Sequence, residues 1–187
     1  MITAGIDEAG RGALAGPVIA CCVILKPSFC YFSELNDSKK LTEKKRITIF
    51  NTIKPHLYLT IGAVSHKTIE SINILNATLL AMKKSINKSS QPIDHIIIDG
   101  NKQPKTTISC ETKVKADATV PQVQAASICA KVIRDLLMQH YNKKYPGYNF
   151  DHHKGYGTKQ HYDIIQKKGP SPIHRLTFNL NKQLTLW

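Results

Sequence analysis

Apolar and polar segments alternate along the chain in a way that predicts strands separated by helices. Residues 2–7 and 18–25 are apolar runs that we expect to form strands, and the second lacks polar alternation, so burial on both of its faces is expected. Further strands are predicted at residues 57–64 and 95–98, with a shorter one at residues 114–117.

Helices are predicted in the intervening segments from their apolar spacing and their end signals. The expected helices are residues 43–53 after an N-cap at Thr42, residues 65–87 with a break near Asn73, residues 121–141 beginning at Pro121, and residues 158–168 ending before Gly169 and Pro170. Residues 142–157 are expected to form a loop. Strands alternating with helices indicate an α/β fold, with one domain over residues 1–187 and a mixed central β-sheet flanked by helices.

Charge is the one unusual feature of the composition. The 187 residues include 26 Lys and Arg against 13 Asp and Glu, which gives a formal net charge of +13. Such an excess is typical of proteins that bind a polyanion, most often nucleic acid, although a basic charge that serves only solubility would give the same composition.

The cysteines and the apolar runs bear on the compartment. No CxxC pair occurs among the five cysteines, so structural zinc is not expected, and most should be buried thiols in a reducing compartment. The longest apolar run, residues 18–25, is too short to cross a bilayer, and an acidic pair stands where a signal peptide would be basic and then apolar. We therefore expect a soluble, cytoplasmic protein that needs no partner copy.

Acidic residues follow three of the predicted strands. Asp7 and Glu8 end the first, Asp99 follows residues 95–98, and Asp117 ends the segment 114–117. Because functional groups gather at strand ends in an open sheet, we expect these carboxylates to converge. Four acids in one place need cations to offset their repulsion, and oxygen ligands without Cys or His suit Mg²⁺ or Mn²⁺. A pair of such ions can stabilise the attacking and leaving oxygens in phosphodiester hydrolysis.

Other interpretations of the same residues stay open. Asp99 lies in a common turn signal, and Asp117 could cap the following helix. Gly10, Gly12 and Gly16 resemble a loosened dinucleotide-binding motif, but the segment after them is predicted to be a strand, whereas that motif requires a helix. A module that binds nucleic acid without cutting it would share the positive charge, although intact acids at all four positions favour an enzyme.

Ordered motifs extend over nearly the full length of the chain, at residues 5–12, 16–17, 37–41, 98–100, 114–118, 125–128, 130–131, 134–135, 153–158, 161 and 173–175. Together they resemble the type 2 ribonuclease H family, and within it the bacterial ribonuclease HII group. The resemblance implies a ribonuclease H-like fold and an endonuclease that cleaves RNA–DNA hybrids and duplex DNA containing ribonucleotides, in primer removal and ribonucleotide excision. The lack of an added N-terminal substrate-binding domain favours HII over HIII.

The resemblance also implies a role for each acid. By the family pattern, Asp7, Glu8, Asp99 and Asp117 are the catalytic carboxylates that bind two Mg²⁺ or Mn²⁺ ions, in agreement with their grouping at strand ends. Water activated by one ion would attack the phosphorus on the 5′ side of the ribonucleotide, and the second ion would stabilise the departing 3′ oxygen. The products would carry a 5′-phosphate and a 3′-hydroxyl.

Substrate contacts are implied in the same way. The turn that matches Gly10-Arg11-Gly12 recognises the ribose 2′-hydroxyl, the group that distinguishes RNA from DNA, mainly through backbone groups. The residue that matches Tyr156 packs against the following deoxyribose and so favours an RNA-to-DNA junction; a tyrosine that only covers the core is the alternative. Ser38 and Lys39 match phosphate contacts, for which a solvated basic loop is the alternative.

Some positions call for local comment. Ala116 stands where the family usually has glycine, and Ala13 where it commonly has proline; both are small, so they bear on backbone geometry more than on catalysis. Arg134 lies one helical turn from Lys131 and could pair with a structural acid. The pair His152-His153 is expected to lie at the surface without binding zinc.

The end of the chain, residues 179–187, is a possible tail with its own binding motif: Gln183, Leu184, Leu186 and Trp187. It is similar to the short peptides with which bacterial replication and repair proteins bind the sliding clamp. In such peptides Leu and an aromatic ring fill an apolar pocket, and Gln supplies a directional hydrogen bond. The alternative is a terminal segment that packs on the domain itself.

Overall fold

A computed structural model describes residues 1–35 and 41–181 of the chain. Short 3-10 turns occur at Phe32–Glu34, Lys54–His56 and Ala116–Ala118. The strands and longer helices are, in chain order, β1 (Thr3–Ala9), β2 (Val18–Leu25), α1 (Glu43–Ile53), β3 (Leu57–Val64), α2 (His66–Asn87), β4 (His95–Asp99), β5 (Ser109–Lys113), α3 (Pro121–Lys144), α4 (Phe150–His153) and α5 (Lys159–Lys168).

The strands form one mixed sheet in the order β3-β2-β1-β4-β5. β2 pairs antiparallel with both β1 and β3, whereas β4 pairs parallel with both β1 and β5. Ile6 of β1 lies opposite Ile98 of β4, so the acids that follow these two residues come to the same end of the sheet. The predicted mixed α/β sheet is confirmed.

Helices cover both faces of the sheet, and β2 shows this best. Its odd-numbered residues from Ile19 to Val23 pack in one cluster with α1 and α3. Its even-numbered residues from Val18 to Ile24 pack in a second cluster with α2. The missing polar alternation of this segment is explained by burial on both faces, as predicted.

The helices begin and break at the predicted places. The hydroxyls of Thr42, Ser65 and Thr158 each accept a backbone N–H from the first turn of the helix that follows. Asn73 interrupts α2 with φ 63° and ψ 167°, and its side chain accepts the N–H of Asn76 at 3.0 Å. Within the described part of the chain, no helix combines the length and the apolar character that a membrane span requires.

Two predicted segments were wrong in detail. Residues 114–117 are not a strand, because the fifth strand is Ser109–Lys113. The strand Ser109–Lys113 is polar, as a strand at the edge of a sheet can be, so hydrophobicity did not reveal it in the sequence. The loop expected at residues 142–157 is shorter, because α3 continues to Lys144 and α4 adds one helical turn around the buried Phe150.

Three of the five cysteines, Cys21, Cys22 and Cys129, are buried, as expected. Burial raises the pKa of the Cys22 and Cys129 thiols to about 12. These thiols therefore stay protonated at neutral pH and act as small apolar side chains.

Candidate active site

Asp7, Asp99 and Asp117 meet at one end of the sheet. Each offers a carboxylate oxygen, and these oxygens all lie within 4.8 Å of one another. Asp7 comes from β1 and Asp99 is the last residue of β4, so the parallel pairing of the two strands brings them side by side. Asp7 and Asp117 are buried, and Asp99 is half-buried. The structure thus brings together three of the four acids that the sequence singles out.

Asp117 reaches this cluster from a 3-10 turn and not from the end of a strand, which corrects the prediction. The chain enters the turn through Lys115 in the left-handed conformation, with φ 60°. One carboxylate oxygen of Asp99 accepts the N–H of Ala116 at 2.8 Å. The turn therefore forms against Asp99, a contact that the local sequence cannot show. Asp117 is not the cap of α3, because Val120 occupies that position.

Glu8 lies beside the cluster but points elsewhere. Consecutive residues of a strand face opposite sides of the sheet, so Asp7 faces α3 and Glu8 turns towards α2. The guanidinium of Arg11 lies 3.4 Å from the Glu8 carboxylate. Glu8 still lines the cleft above the cluster, at the side remote from α3.

The electrostatics of the cluster are unfavourable without a cation. Burial raises the pKa of Asp7 well above its ordinary value, and the negative charges of Glu8 and Asp99 raise it further. A hydrogen bond from the Ser127 side chain partly offsets this. Ser127 belongs to a motif that the sequence reveals, but its contact with Asp7 could not be inferred without the packing of α3 on β1.

The donor set of the cluster fits a hard divalent cation. It consists of carboxylate oxygens alone, close enough to share one ion, and two of the three carboxylates are buried. Oxygen donors of this kind suit Mg²⁺ or Mn²⁺, whereas zinc sites are usually built from Cys and His. A cation here would offset both the mutual repulsion and the cost of burying Asp7.

A cleft of about 560 Å³ opens over Asp7 and Asp99 of this cluster. Its walls include the turn after β1 and a tyrosine from the loop after α4. The residues that line it are Asp7, Glu8, Ala9, Gly10, Arg11, Gly12, Asp99, Ser127, Lys131 and Tyr156. The substrate contacts predicted within the described residues thus share one cleft with three of the acids, Asp7, Glu8 and Asp99.

Two buried arginines hold the turn from beneath. Arg175 donates from Nη2 to the carbonyl of Gly10 at 2.7 Å and from Nη1 to that of Arg11 at 2.9 Å. Arg134 donates to the carbonyls of Ala15, Pro17 and Lys154, so it binds backbone oxygens and not the structural acid that was considered for it. Burial, together with the nearby charge of Arg134, lowers the pKa of Arg175 to about 9. The sequence places Arg175 in a motif without revealing this role.

Tyr156 is fixed to the same turn by its backbone. It forms an antiparallel bridge with Ala13, and its half-buried ring forms part of the cleft wall. The Lys131 ammonium lies 5.2 Å and the Arg134 guanidinium carbon 5.0 Å from the ring centroid. The ring is therefore held at the cleft surface by cations and does not merely cover the core.

The two departures from the family pattern cause no backbone conflict. Among the described residues, the non-glycine residues at positive φ are Asn73, Lys115, Asn149 and Lys154, so Ala116 adopts a conformation open to alanine. Ala13 donates its N–H to the Gly10 carbonyl at 3.4 Å, a bond that proline could not make.

The prediction for the paired histidines holds for one of them, and some predicted site residues lie outside the described part of the chain. His152 is exposed as expected, but His153 is buried and stacks on His161, with ring centroids 3.9 Å apart. The surface assignment of His153 was therefore wrong, because the short α4 turns its side chain inward. Ser38 and Lys39 lie outside the described residues, as does the terminal motif, whose members are Gln183, Leu184, Leu186 and Trp187.

Comparisons with known proteins agree with this architecture. Residues 4–181 match the family model described as Ribonuclease HII. A ribonuclease HII of Caldanaerobacter subterraneus subsp. tengcongensis is 49% identical over 94% of this chain and 73% of its own length. The crystal structure of ribonuclease H2 from Pyrococcus horikoshii OT3 superposes with a TM-score of 0.77 at 25% identity, covering 97% of this chain and 95% of the other. The ribonuclease HII of Archaeoglobus fulgidus, from a complex with PCNA, superposes with a TM-score of 0.76 at 20% identity, covering 99% and 98%.

A mixed sheet flanked by helices, with acids gathered at one strand end, places the molecule in the ribonuclease H class of endonucleases. The family match and the bacterial relative define it more narrowly. The chain belongs to the ribonuclease HII family and is a ribonuclease H enzyme. Its relatives are named as nucleases, which favours the enzyme over the module that binds without cutting.

Proposed function

We propose that the enzyme cleaves the phosphodiester on the 5′ side of ribonucleotides, both in RNA–DNA hybrids and where they are embedded in duplex DNA. The products carry a 5′-phosphate and a 3′-hydroxyl, as required for primer removal and ribonucleotide excision. The observation that carries the proposal is the cluster of three carboxylates within 4.8 Å of one another, two of which, Asp7 and Asp99, line one cleft with the Gly10-Arg11-Gly12 turn.

Asp7, Asp99 and Asp117, with Glu8 beside them, are proposed to hold Mg²⁺ or Mn²⁺. A bound pair of such ions supplies an activated water and stabilises the departing oxygen. The carboxylates would fix where the ions lie and, through them, where the scissile phosphate binds, and Ser127 orients Asp7 through their hydrogen bond. Lys131 lines the same cleft and adds positive charge close to the phosphate.

Selection of the ribonucleotide is assigned to the turn and to Tyr156. Arg175 donates to the carbonyls of Gly10 and Arg11 and so fixes the turn, whose three residues line the cleft. At Gly12 an added Cβ would meet no atom within 4 Å, so the absent side chain leaves room for a ribose. The Tyr156 ring is proposed to pack against the following deoxyribose and so to favour an RNA-to-DNA junction. Ser38 and Lys39 are proposed to contact phosphates.

The test is cleavage of an end-labelled DNA duplex that contains one ribonucleotide, with Mg²⁺, Mn²⁺ or a chelator. We expect a metal-dependent cut immediately 5′ of the ribonucleotide and no cut in the matching all-DNA duplex. Cleavage that persists with the chelator, or that ignores the ribonucleotide, would contradict the proposal.

The matched variants are Asp99→Asn and Asp163→Asn. The asparagine at 99 retains an oxygen that can accept the Ala116 N–H, so the turn is preserved while the negative charge is lost. We expect it to lower kcat by about 10³-fold or more while duplex binding is largely kept. Asp163 is an exposed residue of α5 outside the cleft, so its variant should cut at the wild-type rate. Normal cleavage by Asp99→Asn would mean that the site is misplaced.

The terminal peptide with Gln183, Leu184, Leu186 and Trp187 is proposed to bind the sliding clamp, in a cytoplasmic enzyme that acts as a monomer. The proposal rests on these residues, because the archaeal protein solved with PCNA is only 20% identical and shows the fold alone. Deletion of residues 183–187 should abolish clamp pull-down and leave cleavage of a short duplex unchanged. If instead activity and thermal stability fall together, the segment packs on the domain and the proposal fails.

A further inference from the structure

Three buried histidines lie behind the loop that carries Tyr156. His153 and His161 stack with their ring planes 17° apart, and the Nε2 atoms of His161 and His174 are 2.9 Å apart. All three side chains are buried. The cleavage chemistry proposed above uses none of them, and none lines the cleft.

The partners of His161 and His174 fix where their protons are. The Tyr156 carbonyl can only accept, so Nδ1 of His161 donates to it across 2.9 Å. The Ser171 backbone N–H can only donate, so Nδ1 of His174 accepts it across 2.7 Å. In neutral rings this leaves a proton on Nε2 of His174 and none on Nε2 of His161. The bond between the two rings then runs from His174 to His161.

His153 is fixed by the same reasoning. Its Nδ1 accepts the N–H of Gly155 at 3.1 Å, and its Nε2 donates to the Tyr148 carbonyl at 2.7 Å. A neutral ring with the proton on Nε2 satisfies both partners. Burial supports neutral rings throughout, since it lowers the pKa of His161 to about 3 and that of His174 to about 4. One arrangement of protons therefore satisfies all three histidines.

We infer that His161, held in this tautomer by His174, is a positioning residue that sets the place of Tyr156 in the cleft. The inference rests on the proposed role of Tyr156 at the junction. The Tyr156 carbonyl accepts from His161 and also from the Thr158 N–H at 2.8 Å, so both of its lone pairs are used. Because Tyr156 is also bridged to Ala13, its backbone couples the histidines to the turn after β1.

Loss of the hydrogen bond between His161 and Tyr156 should impair recognition of the RNA-to-DNA junction more than the cleavage step itself. The carboxylate cluster comes from β1, β4 and the Ala116–Ala118 turn, none of which contacts His161 through a described hydrogen bond. Loss of the bond leaves the carbonyl with the Thr158 N–H as its one remaining donor and lets the ring shift from the wall formed with Lys131 and Arg134. Cleavage at an RNA-to-DNA junction should then suffer, while cleavage within a continuous RNA strand should be spared.

Two substitutions separate the bonds of His161. The side-chain nitrogen of asparagine lies near the position of Nδ1, so His161→Asn can still donate to Tyr156 but loses His174. The longer glutamine reaches the position of Nε2, so His161→Gln keeps contact with His174 and leaves the Tyr156 carbonyl. His152→Gln, at an exposed neighbour, is the matched control.

The measured quantity is the ratio of kcat/KM on a single-ribonucleotide duplex to kcat/KM on an all-RNA strand paired with DNA. We expect His161→Gln to lower this ratio about fivefold, the effect of one lost hydrogen bond, and His161→Asn to stay within about twofold of wild type. In a Tyr156→Ala background His161→Gln should change the ratio no further. Equal losses on both substrates in both variants, or an unchanged ratio in His161→Gln, would show a purely structural role and overturn the inference.

A second measurement needs no activity. Long-range spectra of the ¹⁵N-histidine-labelled wild-type protein should show His161 protonated on Nδ1, and His153 and His174 protonated on Nε2. The opposite tautomer at His161 would break the bond to Tyr156 and overturn the inference. If the wild-type enzyme shows no preference for the junction, the proposed role of Tyr156 fails, and the spectra still decide whether the proton arrangement exists.

Discussion

At the scale of single residues, the two glycines of the turn after β1 have different tasks. Gly10 has φ 96°, and a Cβ there would collide with the Arg134 side chain, so glycine is needed for folding. Gly12 is not at positive φ, and a Cβ there would meet nothing within 4 Å. The fold therefore does not require glycine at position 12, which agrees with the proposed place of this residue against the ribose.

Alanine at each position should separate these tasks. We expect Gly10→Ala to lower the free energy of unfolding by about 2 kcal/mol or more, through backbone strain and overlap with Arg134. Gly12→Ala should leave that free energy unchanged and lower kcat/KM on a single-ribonucleotide duplex by about 10- to 100-fold, because its methyl group displaces the ribose. Urea unfolding and cleavage assays measure the two effects. A loss of stability in Gly12→Ala would contradict this division.

The four acids show how much of the position of a single site residue can be predicted from the sequence alone. Asp7 and Asp99 follow apolar runs that belong in a sheet, so their meeting at one strand end could be predicted from chain position alone. The difference between Asp7 and its neighbour Glu8 follows from strand alternation, but which of them faces α3 depends on how the helices pack. The roles of Ser127 and Arg175 could not be predicted from the sequence for the same reason, because the residues they contact lie far away along the chain.

At the scale of elements, the segment from α4 through α5 to residue 175 is stabilised by histidines that must stay neutral. The ordinary pKa of 6.5 is lowered by burial to about 3 in His161 and to about 4 in His174. The unfolded chain therefore binds protons more readily than the folded one once the pH drops below 6.5. The contribution of these two histidines to the free energy of unfolding is fully present above that pH and is lost as the pH falls towards 4.

We expect the free energy of unfolding to fall on acidification by up to about 1.4 kcal/mol per pH unit for each of these histidines. Urea unfolding at pH 7.5, 6.5, 5.5 and 4.5 (values chosen to bracket the titration, about one unit apart) measures the slope. His161→Asn should show a shallower slope than wild type, whereas His152→Gln should match it. Identical slopes in wild type and His161→Asn would mean that this histidine does not titrate on unfolding.

Element prediction succeeded where local signals agree and failed where tertiary contacts decide. Thr42 caps its helix as predicted, and Asn73 breaks α2. The strand assigned to residues 114–117 failed because Asp99 captures the Ala116 N–H and turns the chain there. The polar edge strand before it could not be recognised from hydrophobicity.

At the scale of the whole molecule, the fold and the net charge both agree with an enzyme that acts on a polyanion. The mixed sheet was predictable because strands alternate with helices, and the net charge of +13 indicates a polyanionic partner. The acidic cluster lies within this basic molecule, so a nucleic acid drawn by the overall positive charge meets a local patch that is negative like itself. Cations bound at the patch would remove that conflict.

The hydrogen bonds from Arg175 to the turn after β1 have a consequence for the order in which the chain folds during its synthesis. The bond from Arg175 to the Gly10 carbonyl joins residues 165 positions apart, and that to Gly16 spans 159. The turn beside Asp7 and Glu8 can take its final shape only after Arg175 has emerged from the ribosome. Contacts of such long sequence separation form slowly. A nascent chain should therefore expose Asp7 and Glu8 well before the turn proposed to select the ribose has formed.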